Sequence, residues 1–235
     1  TAETIILLGA KPVFVDIDPR TYNINPNLIE AAITPQTKVI VPVNLYGQCA
    51  ELDPINAIAA QHGLIGIEDG AQSLGATYHG RQSCSLTTIG CTSFFPSKPL
   101  GCYGDGGACF TNDDELARKI VSLRHHGQEG RYYHTSIGTN ARLASIQAAV
   151  LLAKLDIFTE ELAQRQQVAQ WYNERLNGQI VTPYIEPYNK SSYAQYTIQL
   201  ENRDEMQTTL RELGIPTAVH YPTPLNKQPA MRNLY

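Results

Sequence analysis

Short apolar runs alternate with helical segments in the first half of the chain, and this alternation limits the possible folds more than any other feature. The run 39–43 precedes a helix expected from Asp53-Pro54 to about His62, and the run 64–68 then ends at Asp69. Strands that alternate with helices form a mostly parallel sheet with helices on its faces. The sequence therefore predicts an α/β fold.

Neighbouring segments extend the same pattern on both sides. We expect a strand at 11–16, followed by a helix that Asn25-Pro26 begins, because asparagine caps helices and proline fits their first position. Further expected elements are a strand at 90–95, a glycine-rich turn at 101–107, a strand at 108–111, a helix capped by Asn112, one long helix from 143 to 176, strands near 181–185 and 193–200, and a helix at 203–213.

The long helix separates two predicted domains. We place the boundary near Asp156, which gives a large domain at 1–156 and a smaller α+β domain at 157–235. The chain opens with Thr1 and stops after a proline-rich loop, so we expect a fragment that lacks the N-terminal part of the first domain and the end of the second.

Composition excludes several classes of function. The charges sum to −4, with 18 Lys plus Arg against 22 Asp plus Glu, and no basic run offers a surface for nucleic acid. No apolar stretch approaches the roughly 20 residues needed to span a bilayer, and no signal peptide is present, so we predict a cytoplasmic protein. Five cysteines without a Cys-x-x-Cys pair, and six histidines without ligand spacing, predict neither a disulfide framework nor a metal site.

Polar residues follow two of the predicted strands. In open α/β sheets, ligands bind outside the carboxyl ends of the strands, which places 44–48 and 69–72 at the expected binding edge. Asp69 and Gln72 lie three residues apart there. An isolated acid at such a position is more often a helix cap, so the pattern alone leaves both interpretations open.

Lys98 lies between the aromatic end of a strand and a glycine-rich turn. A surface lysine is one interpretation. The other is a desolvated amine, whose lowered pKa would make it the nucleophile of a Schiff base. A strand-end acid together with a downstream lysine flanked by hydroxyl groups indicates a carbonyl cofactor that carries a phosphate.

Several motifs together resemble the sugar aminotransferases of the DegT/DnrJ/EryC1/StrS family. They are Phe14-Val15-Asp16-Ile17-Asp18, Leu45-Tyr46-Gly47-Gln48, Glu68-Asp69-Gly70-Ala71-Gln72-Ser73-Leu74-Gly75, Ser93-Phe94-Phe95-Pro96-Ser97-Lys98 and Gly104-Asp105-Gly106-Gly107-Ala108, followed by matching segments at 138–143 and 220–225. The resemblance covers essentially the whole chain. It implies the aspartate aminotransferase-like fold, which is fold type I of the transferases that depend on pyridoxal 5'-phosphate (PLP), with PLP bound by residues 1–156.

The resemblance also implies cofactor-binding roles for individual residues. Lys98 would form the Schiff base and carry the proton, Asp69 would face the pyridine nitrogen, and Gln72 would bond the phenolic oxygen. Ser93 would bind the phosphate. Asn140 matches a residue that reaches the phosphate bound by the neighbouring subunit, which implies a homodimer with shared active sites.

Substrate-binding roles are implied for Arg142, His220, Tyr221 and Asn44, although Asn44 stands where many relatives carry histidine and Arg142 would equally suit an interface ion pair. The implied reaction is amination of a keto group on a nucleotide-linked sugar, with L-glutamate as donor. Segments 192–197, 216–222 and 224–229 most resemble enzymes acting on UDP-linked 3-keto N-acetylhexosaminuronic acids in O-antigen and lipopolysaccharide synthesis.

Other functions remain open at this stage. The substrate could be a dTDP- or UDP-linked 3- or 4-keto-6-deoxyhexose. A non-catalytic PLP-binding regulatory protein would keep Asp69 and Ser93 but would not need Lys98. A dehydratase of the same fold would replace that lysine by histidine, and a nucleotide-binding domain would use the turn 101–107, whose glycine spacing fits no phosphate-binding motif.

Overall fold

The computed structural model describes residues 1–232, and a small mixed sheet forms its centre. The helices are α1 (Ala2–Leu7), α2 (Ile29–Ala32), α3 (Leu52–Gln61), α4 (Asp114–Arg124), α5 (Ser145–Leu176) and α6 (Arg203–Glu212). The strands are β1 (Val39–Ile40), β2 (Ile65–Asp69), β3 (Thr77–Tyr78), β4 (Arg81–Gln82), β5 (Ile89–Ser93), β6 (Gly107–Phe110), β7 (Gln128–Gly130), β8 (Tyr133–His134) and β9 (Asn189–Lys190). Short 3-10 turns occur at Pro26–Leu28, Leu45–Gly47, Leu225–Lys227 and Pro229–Met231.

The central sheet has the strand order β1-β2-β5-β6. Strands β1, β2 and β5 run parallel, with Asp69 opposite Cys91, whereas β6 runs antiparallel to β5 and places Gly107 opposite Ser93. The sequence prediction of a mostly parallel sheet is therefore confirmed. The antiparallel strand brings the end of the glycine-rich turn back to the edge where β2 and β5 finish.

Two hydrophobic clusters hold the helices against this sheet. In the first, Leu52 and Ile55 of α3 are completely buried and pack with Ile29 and Ile40. Burial of a side chain of this size contributes about 1.5–3 kcal/mol. A second cluster joins β5 and the turn after it to α5 and contains Phe94, Leu100, Cys102 and Leu151. The long helix therefore packs directly on the segment that contains Lys98.

Several predicted elements are present. The Asn25 side chain accepts a hydrogen bond from Asn27 N at 3.0 Å and begins the Pro26–Leu28 turn, as expected. Helices α3, α5 and α6 lie within two residues of their predicted ends. The domain boundary near Asp156 falls inside α5, which is continuous there, and it stays a prediction. Residues 233–235, at the end of the predicted second domain, lie outside the described part of the chain.

Three predicted strands are wrong. Residues 11–16 contain no strand, and a single bridge follows them, between Ile17 and Ile24. Instead of strands at 181–185 and 193–200, one bridge joins Val181 to Gln199. An apolar run becomes a strand only when a neighbouring backbone supplies a ladder of hydrogen bonds, and local sequence does not specify that neighbour.

The cap of α4 also differs from the prediction. Asp113, not Asn112, is the N-cap residue, and its carboxylate accepts hydrogen bonds from Glu115 N at 2.8 Å and Leu116 N at 3.0 Å. Asparagine and aspartate are both common N-cap residues. Here the Asp113 carboxylate is the one that reaches the N–H groups of the first helical turn. No helix within residues 1–232 has the combination of length and apolar character needed to cross a membrane.

Candidate active site

The ends of β2 and β5 form one edge of the sheet. Asp69 is the last residue of β2, and Ser93 is the last residue of the adjacent parallel strand β5. Lys98 follows in a turn that its own N–H closes by donating to Phe95 O at 2.9 Å. Asp69, Ser93 and Lys98 are all half-buried. Because neighbouring parallel strands lie about 4.8 Å apart, the fold brings all three residues to the same edge.

The turn that carries Lys98 is tightly constrained. At Gly101, a Cβ atom would lie 2.6 Å from Pro96 O, so only glycine fits there. Lys154 of α5 donates a hydrogen bond to Gly101 O at 2.6 Å. The position of the turn is therefore fixed by both the sheet and the long helix.

The Asp69 carboxylate has two hydrogen-bond partners. Its Oδ1 accepts from Ala71 N at 3.1 Å, which turns the chain as it leaves the strand. Its Oδ2 accepts from the hydroxyl of Thr1 at 2.5 Å. Sequence reasoning did not find Thr1, because nothing in a local pattern indicates a contact across 68 positions.

Gln72 links two loops at this edge. Its buried side chain accepts from Tyr46 N at 2.6 Å through Oε1 and donates to the Tyr221 hydroxyl at 3.2 Å through Nε2. The Tyr46 hydroxyl in turn donates to His220 O. Burial raises the pKa of Tyr46, with smaller contributions from Tyr221 and Tyr22, so its hydroxyl keeps its proton and remains a donor at neutral pH.

The structure therefore brings Gln72, His220 and Tyr221 together at the edge that also carries Asp69. Tyr46, which joins them, was not among the residues predicted for the site. The only signal in the sequence was its place in the strand-end segment 44–48.

Asn44 has a different position from the one expected. Its side chain is completely buried, and Nδ2 donates to Glu68 Oε1 at 2.7 Å and to Ser73 Oγ at 3.1 Å. Its Oδ1 accepts from Ala50 N at 2.9 Å. The expectation that Asn44 faces substrate is thus wrong for this structure. The short amide side chain of Asn44 points inward and binds a buried carboxylate, so it does not reach the cleft.

That carboxylate belongs to Glu68, which is completely buried beside Asp69. Besides Asn44, it accepts from Ser83 Oγ at 2.9 Å, Cys84 N at 2.7 Å and Leu86 N at 3.1 Å. Within residues 1–232, no basic side chain forms an ion pair with it. The signal in the sequence was a charged residue at the end of the apolar run 64–68.

Asn140 and Arg142 lie on an exposed segment that follows α4. The segment runs along the end of α4, where Thr139 N donates to Leu123 O at 2.8 Å. Arg142 Nη1 lies 3.2 Å from His125 Nδ1. In the described part of the chain, no hydrogen bond or ion pair joins Asn140 or Arg142 to the strand-end residues. Their side chains therefore make no direct contact of this kind with the strand-end residues of the same chain.

The donor set at the edge fits PLP. The cofactor presents a pyridine nitrogen, a phenolic oxygen, an aldehyde and a phosphate, and these need a carboxylate, an amide, an amine and hydroxyl or N–H donors. Asp69, Gln72, Lys98 and Ser93 supply one group of each kind. In the described residues, no cluster of three or more His, Cys, Asp or Glu side chains could hold a metal ion.

Comparison with known proteins agrees with this chemistry. The family model described as "DegT/DnrJ/EryC1/StrS aminotransferase family" matches residues 1–235. A Pseudomonas aeruginosa protein named UDP-2-acetamido-2-deoxy-3-oxo-D-glucuronate aminotransferase is 63% identical over 98% of this chain and 65% of its own length. A Geobacillus stearothermophilus protein named pleiotropic regulatory protein is 49% identical over 100% of this chain and 64% of its own length.

A solved structure confirms the fold. A DegT DnrJ EryC1 StrS aminotransferase from Brucella abortus superposes with a TM-score of 0.96 at 46% identity, covering 98% of this chain and 64% of that one. The predicted fold class, the aspartate aminotransferase-like α/β fold of the PLP-dependent transferases, is therefore correct. The chain spans 65% and 64% of the two curated relatives described above. With its whole length matched by the family model, the chain belongs to the DegT/DnrJ/EryC1/StrS aminotransferase family.

Proposed function

We propose that this protein is a PLP-dependent aminotransferase that transfers an amino group from L-glutamate to a keto group on a nucleotide-linked sugar. One observation carries the proposal: the strand-end carboxylate of Asp69 and the amine of Lys98 lie at the same edge of a sheet of the matching fold. An acid for the pyridine nitrogen and an amine for the aldehyde are the two groups that this chemistry requires.

Bound PLP would supply an electron sink that makes removal of a proton from carbon feasible. The Asp69 carboxylate would face the pyridine nitrogen, where an anionic partner favours the protonated ring. Lys98 would hold the cofactor through its aldehyde, and its free amine would be the group that moves a proton at the substrate carbon. A positioned acid–base group of this kind contributes about 10²–10⁴-fold to rate. Gln72 would orient the ring through its phenolic oxygen, and Ser93 would bind the phosphate.

The proposed substrate is a UDP-linked 3-keto N-acetylhexosaminuronic acid, used in O-antigen or other surface polysaccharide synthesis in the cytoplasm. The supporting observation is the 63% identity to a relative whose name specifies a UDP-linked 3-oxo-glucuronate. Arg142 would bind the uronate carboxylate in a bidentate manner, for which a planar guanidinium is suited. His220 and Tyr221 would bond the sugar hydroxyl or diphosphate oxygens.

The proposed assembly is a homodimer. Asn140 and Arg142 are exposed and unconnected to the strand-end residues of their own chain, which is the arrangement expected if they serve the active site of a second copy. Asn140 would then reach the phosphate and Arg142 the substrate across the interface.

Spectroscopy with PLP tests the first half of the proposal. Titration of the purified protein with PLP should produce a visible absorbance band that L-glutamate removes, and Lys98→Ala should lack the band. Lys119→Ala, which changes an exposed lysine of α4, should behave as wild type. Multiple-turnover transamination by Lys98→Ala would refute the role of Lys98, and the absence of a band in the wild-type protein would refute PLP chemistry.

Substrate comparison tests the second half. The 3-keto uronate should have a higher kcat/KM than its neutral hexose counterpart. Arg142→Lys keeps the charge but loses the bidentate donor geometry of the guanidinium, so it should reduce this preference for the uronate about tenfold. Equal kcat/KM for both sugars would remove the basis for a uronate. Preference for a dTDP- or UDP-linked keto-6-deoxyhexose would establish the alternative substrate class.

A non-catalytic PLP-binding regulatory protein is the second candidate. It is favoured by the 49% identity to a relative named pleiotropic regulatory protein. The two candidates differ in their reaction with L-glutamate: a regulatory protein would bind PLP, but L-glutamate would not change the spectrum of the bound cofactor.

A further inference from the structure

Two cysteines face each other across the antiparallel pair of strands at the side of the sheet. Cys91 of β5 is the register partner of Cys109 of β6, and their sulfur atoms are 3.8 Å apart. Register partners on neighbouring strands point to the same face of a sheet. Both side chains therefore lie on one face, with nothing between them.

The hydrogen-bond pattern identifies the type of pairing. Phe94 N donates to Gly106 O at 2.8 Å, which makes Ser93 and Gly107 a pair that exchanges no hydrogen bonds with each other. The pattern alternates along an antiparallel ladder, so Cys91 and Cys109, two positions away, are again a non-hydrogen-bonded pair.

Cα atoms in non-hydrogen-bonded pairs are about 4.5 Å apart, which is at the lower end of the range of about 4.4–6.8 Å observed for disulfides. A bond between the sulfur atoms needs a further approach of about 1.8 Å, from 3.8 Å to about 2.05 Å. Rotation of the two side chains supplies this without a change of register. The geometry therefore permits a disulfide, and its position at the edge of the range predicts one that is readily reduced.

The two thiols also differ in reactivity. The hydrogen bond from Cys91, opposed by partial burial, lowers the pKa of Cys109 to about 6. The same hydrogen bond and then burial raise the pKa of Cys91. Cys109, whose pKa is lowered, is the thiol that ionises first and is exposed, whereas Cys91 is half-buried beside it. This is the combination of an attacking and a resolving cysteine.

We propose that Cys91 and Cys109 are an oxidation site, at which hydrogen peroxide or an organic peroxide converts the thiol pair into a reversible cross-strand disulfide. The Cys109 thiolate attacks a peroxide oxygen, the O–O bond breaks, and the leaving oxygen takes up a proton to form water or an alcohol. The resulting sulfenic acid is attacked by the Cys91 sulfur, which loses its proton as a second oxygen leaves as water. The two thiols lose two electrons in total, and the peroxide gains two.

The site lies next to the proposed cofactor-binding edge but does not depend on that function. Asp69 is the register partner of Cys91 on the other side of β5, so Asp69, Cys91 and Cys109 form one row across the sheet. The other three cysteines, Cys49, Cys84 and Cys102, are buried and are not part of this row.

Peptide mapping tests the proposal. The native protein is treated with hydrogen peroxide at neutral pH, its remaining thiols are alkylated, and it is digested and analysed by mass spectrometry without reduction. We expect a loss of two free thiols and 2 Da, one cross-linked peptide pair that contains Cys91 and Cys109, and recovery of both thiols with dithiothreitol.

Two comparisons make the result decisive. Cys109→Ser, checked for native circular dichroism, should form no cross-link, and wild-type protein oxidised in urea should distribute its cross-links among all five cysteines. Oxidation of native Cys109 to a sulfinic acid with Cys91 still free would overturn the proposal. A native cross-link pattern as broad as the one in urea, or no loss of thiols, would overturn it as well.

Discussion

The buried carboxylate of Glu68 makes the sharpest prediction for stability. In Glu68→Ala, four donors lose their shared acceptor: Asn44 Nδ2, Ser83 Oγ, Cys84 N and Leu86 N. Asn44 and Ser83 still contact Ser73, at 3.1 and 2.5 Å, so they keep a partner. Among residues 1–232, the N–H groups of Cys84 and Leu86 have no second acceptor.

The expected loss follows from those two groups. Each buried donor left unpaired costs about 1–3 kcal/mol, and the one methylene group that is removed adds about 0.8 kcal/mol. The substitution also removes a buried charge that has no cation beside it, and the desolvation cost saved in this way offsets part of the loss. We therefore expect Glu68→Ala to reduce the free energy of unfolding by about 3–5 kcal/mol. Glu68→Gln keeps the volume and one acceptor but directs an amide N–H₂ at the donors, so we expect about half of that loss.

Urea denaturation followed by the fluorescence of the single tryptophan, Trp171, measures the effect. Glu30→Ala is the matched control, because Glu30 is exposed and its ion pair with His62 contributes less than about 1 kcal/mol. If Glu68→Ala loses no more than the control, the reasoning that Glu68 organises the interior beside Asp69 is refuted.

Three further predictions concern local features. Asp113→Ala should lose about 1 kcal/mol in urea denaturation through its helix cap, and Asn112→Ala should lose almost nothing; equal losses would contradict the assignment of the cap. The rate at which iodoacetamide alkylates Cys109 should rise through pH 6 and level off above pH 7, because only the thiolate reacts; a midpoint near pH 8.5 would contradict the lowered pKa. Gly75→Ala should lower the Tm, since Gly75 has φ +86° and a Cβ atom there would lie 2.5 Å from a methyl group of α5; an unchanged Tm would show that α5 can move away.

Elements with strong local signals could be predicted from the sequence. Helix α5 has apolar residues at helical spacing without glycine or proline, and the turn at Pro26 has both its cap and its proline. The strands expected at 11–16 and 193–200 are absent from the structure. Local sequence could not show this, because strand formation depends on a partner elsewhere in the chain.

The site was predictable to a similar extent. The rule that ligands bind at the carboxyl ends of parallel strands located Asp69 and Gln72, and the strand end and glycine-rich turn around Lys98 singled out that residue. Family resemblance then supplied a role for each. The orientation of Asn44 was predicted wrongly because its partner, the buried Glu68 carboxylate, lies 24 positions later in the chain. A local sequence pattern does not indicate a contact over that separation. Tyr46 was missed for a similar reason, since its partners follow it by 26 and 174 positions.

The continuity of α5 has a mechanical consequence. Its 32 residues rise about 1.5 Å each, so the helix is a rod of about 48 Å. Near the middle of α5, Leu162 packs against Gly75, and near the C-terminal end of α5 the ring of Tyr172 stacks on that of Tyr196. Without a proline or glycine at which to bend, a tilt of about 5° would displace one end relative to the other by about 4 Å. Any movement of the C-terminal segment that tilts this helix would therefore also displace the residues around Gly75, which follow the end of β2.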